Sequence, residues 1–390
     1  MTKVLIYKSK TDLKPIGGPN GYLYNLYDGI KATSHKDIDI SFLPGKTSYP
    51  FPANILVEKL QKHKKLLFYI CIQHLKRNKG NSSNTDFSKY DIIHFHSPVD
   101  FYVCRNKLKD FKGKIVLTCH SPMPSHIELV DYLGLKQADK IKKYRKMVEK
   151  VDIYAFNHAD YILFPCEEAE ECFYNTWDKY KSIKAQNKQK YFYIPTGLKP
   201  INLKDSQTEL RKKYNLSSEN IILSYVGRHN EVKGFKDLKK NGEVCLKEIP
   251  TASFLIAGEE SPIAGLKHPR WREIGWTNKP HEIIKSSDIF VLPNKETYFD
   301  LILLEVLALG KPVVLTNTGG NKFFKQFKDS GLFFYEYGDS NRFVKIIKQL
   351  SRSDLTELGK KNLKIFQENF SSKIFAKKYL DFYRSIDENK

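Results

Sequence analysis

The chain has 390 residues, 41% of them apolar and 28% charged, a globular mixture too long for one ordinary core and suited to two domains. Lys and Arg number 65 against 44 Asp and Glu, a formal net charge of +21, which points to a polyanionic partner or to a lysine-rich solvated surface. The start, MTKVLIYKSK, holds a four-residue apolar strand rather than a signal-peptide core, and the longest apolar run, Leu66–Ile72, is far too short for a membrane span.

Short apolar runs alternate with longer amphipathic stretches, the pattern of an α/β chain with parallel sheets. In the first half, strands are predicted at Val4–Tyr7, Ile38–Leu43, Ile92–His96, Ile115–Cys119, Ile162–Pro165 and Tyr191–Pro195. Gly17-Gly18-Pro19-Asn20-Gly21 follows the first strand and precedes the amphipathic run Tyr22–Ile30. Such a turn is either punctuation or a phosphate approach at a helix N-terminus. Val57–Lys79 is basic on one face and apolar on the other, which fits an anionic membrane surface or a core helix with a wet side. Lys142–Lys150 is a second basic stretch. His94 and His96 stand at the end of one strand and are read as satisfied structural residues. His120 ends the next strand, in LTCHSP, at the sheet edge where ligands bind.

Pro and Lys in the segment 197–220 mark the hinge, near 197–203, ahead of a short helix opened by the capping box Ser206-x-x-Glu209. A second set of strands is predicted at Ile221–Gly227, Ser253–Gly258, Ile289–Leu292, Val313–Thr316 and Leu332–Tyr335. At the end of the first of these, Arg228 and Lys233 lie between Gly227 and Gly234 and are placed to clamp a diphosphate or to form a solvated basic loop. The block 288–320 then sets a strand, a polar turn, an apolar helix with the lone acid Glu305, a second strand and the pair Gly319–Gly320. An acid on such a helix and glycines at the next strand end suit a sugar-nucleotide pocket, the acid on the ribose and the glycines near phosphate. The C-terminal helix spaces Phe375, Tyr379, Phe382 and Tyr383 for packing on the first domain.

Six cysteines show neither a CxxC pair nor zinc spacing, which fits a reducing cytosol. The one Asp-x-Asp, Asp37–Asp39, lies in a strand pattern, so no metal site is expected. Nucleic acid is not an expected partner, because no RNA-binding signature, recognition helix or zinc module accompanies the charge.

Taken in order, the glycine turn 17–21, LTCHSP, VGRHNEVKG, FLIAG, the 288–320 block and FSSKIFAKKYL resemble the retaining GT-B glycosyltransferases of family 4. The resemblance implies two Rossmann-like doubly wound domains facing across a cleft. Residues 1–197 with the helix 371–390 would bind the acceptor, and 198–370 the nucleotide-sugar. It implies His120, Glu296 and Asp300 as catalytic candidates. Gly18, Arg228, Lys233, Thr297, Phe299, Leu301, Glu305, Gly319 and Gly320 would bind the donor, a UDP-sugar by expectation, with no metal and no other cofactor. The expected acceptor is a glycan or a polyprenyl-linked glycan in capsule, exopolysaccharide or cell-wall synthesis. The expected setting is the cytoplasm, at the inner face of the membrane. One departure stands out: Thr297 occupies the family's first acid position, with Glu296 one residue early and Asp300 in place of a glycine. That departure keeps open an inactive GT-B-like subunit partnering an active transferase, and a transferase acting on a protein acceptor is a further alternative.

Overall fold

A computed structural model describes residues 1–8, 13–15, 18–42, 83–121, 123–132 and 139–387. Gly17, Cys71 and the stretch Val57–Lys79 lie outside these residues. The chain divides into two compact units. One comprises Met1–Pro165, Glu170–Ile194 and Ala376–Lys390, and the other Cys166–Ala169 and Pro195–Phe375.

The first unit is built on a parallel sheet of six strands: β1 Thr2–Tyr7, β2 Ile38–Phe42, β3 Ile92–Phe95, β4 Lys114–Thr118, β5 Tyr161–Phe164 and β6 Tyr191–Tyr193. Their order is β2-β1-β3-β4-β5-β6. β3 is buried at every position, as expected of a parallel strand covered on both faces. The chain leaves β1 toward β2 and returns to β3 on its other side, so the sheet reverses direction between β1 and β3. Open α/β sheets bind ligands at such a reversal, outside the carboxyl ends of the strands.

The C-terminal helix Ser372–Asp387 contributes Tyr379, Phe382 and Tyr383 to this unit, all buried. Burying each ring from water contributes roughly 1.5–3 kcal/mol. Arg384 at the far end holds both oxygens of Asp37 at 2.6 and 3.0 Å. This Asp of the Asp-x-Asp pair is therefore an anchor for the helix.

The second unit has β7 Ile221–Val226, β8 Ala252–Ala257, β9 Trp271–Gly275, β10 Ile289–Leu292, β11 Val313–Thr316 and β12 Leu332–Tyr335, in the order β12-β11-β10-β7-β8-β9. Counted from β7, this is the order 3-2-1-4-5-6 of dinucleotide-binding sheets, with the reversal between β7 and β10. The predicted strands here match within two residues at each end, but β9 was not anticipated. In WREIG only Trp271 is buried, because the strand lies at the sheet edge and carries no apolar alternation. The capping box forms: Ser206 accepts from Glu209 N and Glu209 accepts from Ser206 N, opening the helix Gln207–Lys213.

Five cysteines, Cys104, Cys119, Cys166, Cys172 and Cys245, are free and buried. Among the described residues no helix is long and apolar enough to cross a membrane.

Candidate functional site

In the second unit, the segments leaving β7 and β10 meet at the sheet reversal. The β7 segment bends at Gly227, and the Tyr225 hydroxyl donates to the Arg228 carbonyl at 2.9 Å. Lys233 N donates to Asn230 Oδ1 at 2.9 Å, closing a turn that ends at Gly234. Gly234 has φ of 68°, and a Cβ there would stand 1.7 Å from the Pro293 carbonyl oxygen, so no other residue fits. Behind it begins the helix Phe235–Glu248, whose first turn offers its amides and dipole toward the strand ends.

Arg228 is exposed, and its guanidinium forms no ion pair among the described residues. Lys233 is not free. Its Nζ lies 2.7 Å from each oxygen of Asp300, and Asn294 Nδ2 donates to Asp300 Oδ2 at 2.5 Å. Burial pushes the Asp300 carboxyl up. The Lys233 charge, with hydrogen bonds from Lys233, Asn294 and Thr297, more than reverses this and holds it below the usual carboxylate range. Asp300 stands at the start of the helix Leu301–Ala308 without capping it, so its carboxylate is committed to Lys233. The structure thus joins a diphosphate candidate and a catalytic candidate into one ion pair.

Glu305 is half-buried on the second turn of that helix, with Oε2 3.2 Å from His281 Nε2. Leu301, the first residue of the helix, is half-buried. Glu296 is half-buried, with its Oε2 unpartnered, while its amide donates to the Val232 carbonyl at 3.3 Å. Thr297 is buried.

Phe299 is packed with the rings of Phe323, Phe324 and Phe370, at centroid separations of 5.9, 5.4 and 6.4 Å, so its ring lies in the core. Gly319 and Gly320 lie against backbone: a Cβ on either would stand 2.0 Å from the carbonyl oxygen of Thr297 or Tyr298. Close packing on the 297–298 turn by itself demands glycine at both positions.

Buried side-chain polar atoms are normally hydrogen-bonded. In this unit several are not: both ring nitrogens of His229, Asn294 Oδ1, Glu296 Oε2, Asn317 Oδ1 and Asn321 Oδ1. They sit on the segments that follow β7, β10 and β11, along the carboxyl edge of the sheet. That edge therefore carries open hydrogen-bonding capacity beside two cationic side chains.

In the first unit, Gly18 precedes the helix Pro19–Lys31 with φ of 71°, and no side chain caps that helix N-terminus. His120, beyond the end of β4, is half-buried and takes a T-shaped contact with Tyr22, whose hydroxyl meets that of Tyr379. His94 is satisfied as expected, by Tyr383 Oη at 2.8 Å and Thr118 Oγ1 at 2.7 Å. His96 is not. Its Nδ1 bonds His120 Nε2 at 2.8 Å, but its Nε2 is buried without a partner. Burial pushes His94 down to about 3, and drives His96 and His120 well below the ordinary imidazole value, with the Lys8 charge adding to the effect on both. A pocket of about 170 Å³ borders His96, His120, Lys8, Pro19 and Glu128. It is large enough for one polar group of a substrate.

Sequence reasoning passed over His281 and Asn294. Asn294 stood two residues beyond a recognised strand end, which was its signal. His281 had none, since its relation to Glu305 depends on how two helices pack.

Residues 220–353 match the family model described as Glycosyl transferases group 1, and residues 17–177 match that of Glycosyltransferase Family 4. The chain is 23% identical over 316 residues to the N-acetyl-alpha-D-glucosaminyl L-malate synthase of Bacillus anthracis, covering 76% of this chain and 75% of that one. It is 23% identical over 290 residues to an Escherichia coli UDP-Gal:alpha-D-GlcNAc-diphosphoundecaprenol alpha-1,3-galactosyltransferase, covering 70% of each. In fold it is similar to the sucrose-phosphate synthase of Thermosynechococcus elongatus, with a TM-score of 0.66, 17% identity and all of both chains covered. It is also similar to Anabaena HepE in complex with UDP-glucose, with a TM-score of 0.61, 14% identity, and 99% and 100% covered.

Proposed function

This chain belongs to the group 1 glycosyltransferases of family 4, and from that membership we propose that it moves a sugar from a nucleoside diphosphate sugar to a glycan or lipid-linked acceptor in surface or cell-wall polysaccharide synthesis. The observation that carries the donor side is the conjunction at the β7/β10 reversal. Arg228 and Lys233 stand beside a helix N-terminus and a row of unpartnered buried polar atoms. A diphosphate needs clustered cationic and N–H donors, and sugar and ribose hydroxyls need acceptors such as Glu296 and Glu305. Two relatives support the reading by name, a galactosyltransferase acting on a diphosphoundecaprenol-linked sugar and a capsular polysaccharide glycosyltransferase. The HepE complex with UDP-glucose supports a UDP-sugar donor.

The proposed chemistry is retaining. The bond between the sugar anomeric carbon and the donor phosphate oxygen breaks, and the acceptor hydroxyl attacks from the same face. Its proton passes to a phosphate oxygen of the departing nucleoside diphosphate. Arg228, Lys233 and the helix dipole would stabilise the charge that develops on that group, so no metal ion is required. Lys233 then interacts with both Asp300 and the diphosphate, and Asp300 is placed to read a sugar hydroxyl beside it.

Incubation with UDP-, GDP- and dTDP-sugars, with and without EDTA, tests this. Turnover of one donor, undiminished by EDTA and giving a product of unchanged anomeric configuration, is the expected result. An inverted product would sink the retaining mechanism, and loss of turnover in EDTA the metal-free one. The reading as a non-catalytic binding subunit is favoured by Thr297 and by the closed Lys233–Asp300 pair. Donor binding by calorimetry, without turnover of any donor, would select it.

A further inference from the structure

The paired histidines of the first unit carry an assignment of their own. His96 and His120 share one hydrogen bond, Nδ1 to Nε2 at 2.8 Å, with rings stacked at 5.0 Å and 14°. His94 stacks on the other face of the arrangement, 4.2 Å from His96, and its two nitrogens are already used by Tyr383 and Thr118. Tyr22 faces His120 and His96 from the helix Pro19–Lys31, and Lys8 borders the same pocket from the end of β1. Burial keeps all three imidazoles uncharged near neutral pH.

Two uncharged imidazoles joined by one bond have two arrangements. In the first, His120 donates from Nε2, and His96 must hold its own proton on Nε2. That nitrogen is buried with no partner, in a residue only 2% exposed. In the second, His96 donates from Nδ1 and its Nε2 is a bare lone pair. His120 must then carry its proton on Nδ1, which bonds nothing among the described residues. An orphaned buried N–H is rarer than an under-satisfied acceptor, so the second arrangement is favoured. We propose that His96 is a positioning residue that fixes His120 as a hydrogen-bond donor through Nδ1, directed to an oxygen of the sugar substrate. The link to substrate rests on the reading that His120 contacts the sugar, whereas the tautomer assignment does not.

The test uses the full chain with 15N-labelled histidine, whose long-range proton–nitrogen spectra distinguish the two tautomers. The wild type should show His120 protonated at Nδ1. His96→Phe keeps the ring stack but removes the donor. It should shift the His120 pattern toward a mixture and lower kcat about 10- to 100-fold, with the donor KM within about threefold. His96→Asn places an amide donor where Nδ1 was, and should restore the pattern and most of kcat. A wild-type His120 protonated at Nε2 overturns the proposal, as does a His96→Phe enzyme with an unchanged spectrum, whatever its rate. Should His96→Phe fail to fold, the wild-type spectrum and the Asn variant still decide. Full turnover by His120→Ala would instead overturn the sugar contact, leaving the tautomer to the spectrum alone.

Discussion

At the scale of single residues, Asp300 has the most consequential placement. Its carboxylate takes Lys233 through both oxygens and Asn294 through one, so the cation proposed for a diphosphate is countered from within the protein. Asp300→Asn should therefore tighten binding of free nucleoside diphosphate severalfold while lowering transfer, because the sugar-side acceptor is lost. Calorimetry against initial rates separates the two, and unchanged nucleotide affinity would show that the pair does not restrain Lys233. Arg228→Ala and Glu305→Ala should each weaken donor binding by about 1–3 kcal/mol, the range for losing a charge-assisted bond. Nucleotide affinity unchanged in both would refute the site. Arg228, Lys233 and Glu305 were visible as candidates in the sequence, because the first two stand just past a strand end and the third is the lone acid of an apolar helix. The Asp300–Lys233 pair was not, because 67 residues separate its members and only the β7/β10 reversal brings them together.

At the scale of elements, the glycine-bounded turns fix the site's geometry. Gly234→Ala would place a methyl group 1.7 Å from the Pro293 carbonyl oxygen at a positive φ. The turn between β7 and its helix must then move. We expect a stability loss of about 1–3 kcal/mol or more from backbone strain, with donor affinity falling alongside. Urea unfolding of the variant, set beside its nucleotide affinity, measures both, and a loss of neither would show the turn to be plastic. Ile289–Leu292 and Val313–Thr316 appear as the sequence predicted, because runs of apolar and β-branched residues covered on both faces have few alternatives. β9 escaped because an edge strand needs neither feature. At Gly319 and Gly320, backbone packed against backbone demands glycine as strictly as a phosphate does.

At the scale of the whole molecule, buried groups titrate in opposite senses. His94, with its folded value near 3, and His96 and His120 favour the uncharged form. Their contribution is complete above the unfolded value of about 6.5. It is lost as pH falls, by up to about 1.4 kcal/mol per pH unit for each group. Glu273 in the second unit is pushed up to about 7, by burial first and by Glu260, against the hydrogen bond from Trp271. Its contribution is complete below about 4.5 and is lost as pH rises through 7. The melting temperature should therefore fall on acidification below pH 6.5. Glu273→Gln should raise it at pH 8 and change it little at pH 5. A flat profile between pH 7 and 4 would contradict the buried histidines. The net charge of +21 predicts binding to vesicles containing anionic lipid that weakens with added salt. Flotation with neutral and anionic vesicles checks this, and equal binding to both would remove charge as the cause.

By itself the sequence determined two parallel α/β sheets and the family, and it marked candidate residues at strand ends. Those properties rest on local hydrophobic periodicity and on residues at fixed offsets from it. The tertiary structure alone decided which side chains meet: Lys233 with Asp300, Glu305 with His281, His96 with His120. It also set the Phe299 ring in the core. Strand order is set by packing over long separations, and a hydrogen bond between distant residues exists only once that order has formed.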